Sequence, residues 1–153
     1  QSRPLGVQTE VFAYGRMPLA FSARCFTARH GNVSKDECQF KCLAHPDGLL
    51  LRTQEDQGFL VLNGTQTQSA RVYNLMSQWD ELRTLAVDVL RISPQARYTA
   101  EIVHAFHTVR TQRASMQEAQ AALAHWMPDQ AYNGYWYGRP GQDFVAPSEP
   151  QAA

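Results

Sequence analysis

The chain has no excess of charge of either sign. Its 153 residues hold 14 Lys and Arg against 14 Asp and Glu, whereas a dedicated nucleic-acid binder carries a basic surplus to meet the phosphate backbone. There is no run of about eighteen apolar residues, so nothing in it reads as a membrane-spanning helix. Disorder is excluded as well. Charged residues make up 18% of the sequence, hydrophobic ones 44% and aromatic ones 10%, which supplies enough apolar surface for a core. The familiar catalytic signatures are missing: there is no Gly-x-Ser-x-Gly elbow, no Walker-type loop, no Gly-x-Gly-x-x-Gly and no His-Glu-x-x-His. No Ser/His/Asp set stands out, so hydrolysis by a triad has no support. The opening Gln1-Ser2-Arg3-Pro4 has neither an initiator Met nor the apolar core of a signal peptide, and reads as the middle of a chain. Cysteine is scarce, and its count of three cannot pair off completely within the chain.

What is present is an alternation of strand-like and helix-like stretches. Val7 to Tyr14 has strand composition and ends at Gly15, while Pro18 to His30 reads as irregular to helical. Asp47-Gly48 marks a turn between two extended pieces, the second being Gly58 to Leu62. The spacing of Val72, Leu75, Met76 and Trp79 predicts a helix capped by Thr65 or Thr67. Val87 to Ile92 reads as a buried strand stopped by Ser93-Pro94, and two further helices are expected over 99–113 and 115–126. Such alternation implies βα units and a mainly parallel sheet of three or four strands. That is an α/β fold, equivalent either to about half of a (β/α)8 barrel or to a small open sheet. Residues 1–143 read as the ordered domain and 144–153, rich in Pro, Ala and Gln, as a disordered tail.

The cysteines are the informative feature. Cys25, Cys38 and Cys42 form a Cys-x12-Cys-x3-Cys array that holds every thiol of the chain. A helical segment there would put Cys38 and Cys42 on one face. Arg24, Arg29, Lys35 and Lys41 surround them, and nearby cations favour the thiolate, the form that binds metal. Iron–sulfur clusters are usually held by about four thiolates, which would require one ligand from outside this chain. Zinc is the rival metal, with His30 or His45 completing a Cys3His site. Two blander readings stand beside these: buried cysteines acting as small hydrophobes, and one disulfide with a spare thiol.

At these residues the chain resembles the collagenase-like peptidase family of unknown catalytic type, the U-thirty-two class. The stretch Glu10-Val-Phe-Ala-Tyr-Gly15-Arg-Met-Pro-Leu19-Ala-Phe-Ser22-Ala-Arg-Cys25 is similar to the family's signature. Ser22-Ala-Arg-Cys25-Phe-Thr-Ala-Arg29, Lys35-Asp-Glu-Cys38, Val61-Leu-Asn-Gly64-Thr-Gln66, Val72-Tyr-Asn-Leu75, Arg91-Ile-Ser-Pro94-Gln95 and Asn133-Gly-Tyr-Trp136 are similar, in the same order, to its ubiquinone-biosynthesis branch. The resemblance implies a (β/α) barrel-like fold, of which this chain would be the C-terminal half of a TIM-type barrel. It implies a [4Fe-4S] cluster with Cys25, Cys38 and Cys42 among its ligands, the remaining ligand lying in the N-terminal half. It also implies a heterodimer with a paralogous, UbiU-like family member. The function implied is oxygen-independent hydroxylation of an aromatic ubiquinone precursor in the cytoplasm.

Other candidates are weaker. Glu10 sits near the end of a strand, where catalytic residues of barrels gather, but a strand-end carboxylate satisfied by neighbouring amides is the better reading. His104 and His107 have a metal-compatible spacing on a helix, but their neighbours Ile102, Val103, Phe106 and Val109 point to a packed helix surface. Asn133 to Tyr137 reads as an aromatic seal on the core rather than a platform for an aromatic substrate. Asn32-Val-Ser34 and Asn63-Gly-Thr65 match the glycosylation pattern by chance, given no secretory route.

Overall fold

The computed structural model describes residues 6–146. In chain order the strands are β1 (Glu10–Gly15), β2 (Pro18–Phe21), β3 (Leu49–Arg52), β4 (Gly58–Asn63), β5 (Gln66–Ser69), β6 (Val72–Asn74), β7 (Val89–Ile92) and β8 (Ala131–Tyr132). The helices are α1 (Phe26–His30), α2 (Trp79–Thr84), α3 (Thr99–Arg110) and α4 (Met116–Trp126). The expected α/β class holds, as does the placement of β1, β7, α3 and α4.

The mainly parallel sheet does not hold. Two four-stranded sheets replace it, one in the order β7-β1-β6-β8 and one in the order β2-β5-β4-β3. The second is antiparallel throughout. Within it β3, β4 and β5 follow one another through short links, as antiparallel neighbours can, while β2 joins the edge of β5 from far earlier in the chain. In the first sheet β1 runs parallel to β7 but antiparallel to β6, and β6 is parallel to β8. No barrel closes among the described residues.

The helix expected from Thr65 or Thr67 to Trp79 is also overturned, because 66–69 and 72–74 are strands and α2 begins only at Trp79. Gly64 takes the left-handed region, φ 62°, and turns the chain back on itself, so Thr67 pairs with Leu62. Val72, Tyr73 and Asn74 are all buried in a strand with neighbours on both sides. A strand covered on both faces yields an unbroken run of core positions, which helical spacing fits by accident. Pro18 to His30 divides into β2 and α1. Asp47-Gly48 is a turn, with Gly48 at φ 78°, but it leads into β3. The β3–β4 link is instead closed by Thr53 N donating to Gln57 O at 2.8 Å.

Two clusters hold the first sheet in place. On one face α3 and α4 bury Ile102, Phe106, Val109, Ala119 and Leu123 against Ala13, Tyr14 and Val72 of the sheet. The second cluster joins Tyr73, Leu75, Leu82 and Tyr132, with Trp136 packed against it. Asn133 staples the C-terminal segment from inside. Its Oδ1 accepts from Val145 N at 2.7 Å and its Nδ2 donates to Val145 O at 2.9 Å. Val145 is 4% exposed, so the segment expected as a tail from residue 144 is pinned there. Residues 147–153 of that segment, and the opening Gln1 to Leu5, lie outside the described residues.

Candidate functional site

Cys25 occupies the N-cap position of α1 in an extended conformation, φ −79° and ψ 112°. The hairpin turn between β4 and β5 fixes that position: Ser22 N donates to Thr65 O at 2.8 Å, and Phe26 N to Gly64 O at 2.7 Å. Thr27 and Ala28 are the buried side of this short helix, whose end turns at Gly31 and left-handed Asn32.

Cys38 and Cys42 do not share a helix face. Gln39 and Phe40 stand between them with φ 50° and 53°, and two successive left-handed residues cannot belong to a right-handed helix. Cys42 instead sits in a single 3-10 turn over Lys41–Ala44. That turn packs beside α1, with the His30 and His45 rings edge to face at 6.1 Å between centroids. Both proposed zinc histidines therefore belong to the lobe that carries the cysteines.

All three thiols are free, Cys25 and Cys38 half-buried and Cys42 exposed. That removes the disulfide reading. None is a fully buried hydrophobe. Cys25 opens into a cavity of about 570 Å3 shared with Arg24, Arg29 and Lys35, none of which has a carboxylate partner among the described ion pairs. In donor chemistry the lobe fits a thiolate-held metal. In geometry, no group of three or more His, Cys, Asp or Glu is gathered closely enough to hold one among the described residues.

Glu10 is the first residue of β1, at its N-terminal end, and its carboxylate pairs with Arg91 of β7. In strand-and-helix barrels the opposite, C-terminal ends of the strands carry chemistry, and the N-terminal ends serve stability. Glu10 therefore has the placement of a surface ion pair. His104 and His107 are both exposed on α3, and the helix buries Ile102, Ala105, Phe106 and Val109 instead. The aromatic stretch near 135 behaves as a seal: Trp136 Nε1 donates to Glu81 at 2.7 Å, and Tyr137 accepts from Gln78 at 3.2 Å.

One residue at the functional end of β1 escapes a reading by motif. Arg16 follows the last residue of that strand and is only 9% exposed. The detectable signal was its position immediately after Gly15, at a strand's C-terminal end.

Among the described residues no helix is long and apolar enough to cross a membrane. No solved structure matches the chain. The sequence model of peptidase family U32 matches residues 2–145, and the chain belongs to that family.

Proposed function

We propose that the chain is the cysteine-bearing portion of an iron–sulfur protein of the family's ubiquinone-biosynthesis branch. In this reading Cys25, Cys38 and Cys42 supply three ligands of a [4Fe-4S] cluster. A donor outside these 153 residues supplies the fourth. The observation that carries the reading is the state of the thiols: all three are free, on one lobe, among cations with no ion pair to a carboxylate among the described residues.

A bound cluster would supply electron transfer. The chain's own contribution is electrostatic and positional. Arg24, Arg29 and Lys35 line the cavity beside Cys25 and would offset the negative charge of a group held there. The hydrogen bonds from Ser22 and Phe26 to the β4–β5 turn fix the backbone on either side of Cys25. The parallel pair β1 and β7, with α3 and α4 packed over it, is the part of the structure that suits a (β/α) barrel half. The same reading places the protein in the cytoplasm, in a heterodimer with a paralogous partner, acting on an aromatic ubiquinone precursor.

Peptide hydrolysis is equally compatible with membership of the family. Among the described residues no Ser or Thr hydroxyl hydrogen-bonds a histidine ring, so no nucleophile–base pair recommends it. Purification without oxygen separates the readings. Brown protein containing iron and sulfide, bleached in Cys38→Ala, is the expected result. Colourless protein with stoichiometric zinc would refute the cluster, and proteolysis that survives loss of all three cysteines would favour the hydrolase.

A further inference from the structure

The second site lies where the parallel strands β1 and β7 end. Gly15 closes β1 with φ 121°, a conformation and a proximity that suit glycine alone, since a Cβ there would lie 2.6 Å from Ser93 Cβ. Ser93-Pro94-Gln95, leaving β7, can therefore pass close to Gly15-Arg16, leaving β1. Between them is a small cavity of about 40 Å3, lined by Arg16, Ser93 and Gln95 and completed by Asp47, Asn63 and Gln68 from the loops and the second sheet. In open α/β sheets ligands bind in the crevice beyond the carboxyl ends of parallel strands.

The cavity holds a buried charge that the protein leaves partly unsatisfied. Arg16 Nη1 donates to the backbone oxygen of Asp47 at 3.1 Å. Its Nε is buried and has no acceptor. Asp47 and Asp129 lie within its electrostatic reach, yet neither forms an ion pair with it among the described residues. Burying a guanidinium without its acceptors is costly, and such an exception calls for a cause. Gln95 turns its donor side to the backbone, Nε2 donating to Ser93 O and Pro94 O, and no hydrogen bond joins its side-chain oxygen to Arg16 Nε among the described residues. The Asn63 side chain, at the mouth, makes no described hydrogen bond.

We propose that this cavity is an oxyanion site, in which Arg16 receives a carboxylate along its Nε edge. A guanidinium presents a planar fork that carboxylates match with two parallel hydrogen bonds. The free space suits about one carboxylate group, so the ligand is a small free carboxylate or the carboxylate end of a larger acid. Asn63 can donate a further hydrogen bond from the mouth. The site is independent of the cysteines, and its test reads no metal.

The test uses the full chain with acetate and hexanoate as probes, against sodium chloride at equal ionic strength. Expected is a saturable rise in melting temperature of about 2–4 °C, with a shift of the Arg16 Nε–H resonance over the same concentrations. Response to acetate alone assigns a small free acid, and response to both assigns the end of a larger one. Arg16→Gln should abolish the effect. In case that variant does not fold, exposed Asn63→Leu should weaken binding roughly tenfold while leaving Arg16 in place. A response no larger than that to chloride, or an unmoved Nε–H resonance, would mean that the cavity holds water only and would overturn the assignment.

Discussion

Tyr14 shows how a buried side chain can be held by its ring while its polar atom goes unused. The ring is fully buried, edge-on to Phe106 at 6.0 Å between centroids, but the hydroxyl has no hydrogen-bond partner. Burial drives its pKa upward. Removing an unsatisfied group relieves its desolvation cost, so Tyr14→Phe should be neutral or stabilising by up to about 1 kcal/mol in urea denaturation. A loss of stability would show that the hydroxyl has a partner, such as an ordered water. At this scale the sequence was legible where residues cluster. Three cysteines within one polar segment announce a possible site. A single arginine after a strand looks like any solvated charge. Only the fold, by bringing Ser93 and Gln95 over it, makes Arg16 a buried one. For Glu10, composition located the strand but not which of its ends the carboxylate occupies, and the structure puts it at the N-terminal end, paired with Arg91.

At the scale of elements, local chemistry is best written in the helices. Ser115 and Glu118 form a reciprocal cap on α4, Glu118 N donating to Ser115 Oγ at 3.2 Å and Ser115 N to Glu118 at 2.8 Å. The bond from Ser115 N, with a second from the Ser115 hydroxyl at 2.8 Å, holds the Glu118 carboxyl below its ordinary pKa. Ser115→Ala should cost about 1 kcal/mol, read as a fall in melting temperature of about 2–4 °C. An unchanged value would show that tertiary packing alone holds the helix. Both α3 and α4 could be read from apolar spacing because each covers one face of a sheet. The stretch from Gln66 to Asn74 could not, since β6 is buried on both sides and so loses the alternation that identifies a strand. The antiparallel second sheet was missed because its register is set by turns, among them left-handed Gly64, rather than by side-chain pattern.

At the scale of the molecule, two buried tyrosines tie the first sheet to the C-terminal segment. Tyr73 on β6 and Tyr132 on β8 meet edge to face at 5.2 Å between centroids. Burial, with a smaller contribution from neighbouring tyrosines, pushes both phenols up to about 12. Unfolded tyrosines ionise near 10. Between those values the unfolded chain has released protons that the native chain retains, so stability falls as pH rises through that window and is complete below it. Urea midpoints at about pH 9 and about pH 11 should therefore differ, with a smaller difference in Tyr132→Phe. Equal midpoints would mean that these phenols ionise in place without cost. The strand-and-helix alternation was enough to give the α/β class, but not the division into two sheets, which depends on pairings between strands remote in sequence.

The account turns on whether the three free thiols act together, and elemental analysis of protein purified without oxygen, with the chain that carries the fourth ligand included, tests that most directly. Iron and acid-labile sulfide should be present in comparable amounts and should fall together in each of Cys25→Ala, Cys38→Ala and Cys42→Ala, while far-UV circular dichroism stays near that of the parent. Iron that is absent from the parent, or that persists unchanged when any one of the three cysteines is removed, would contradict it.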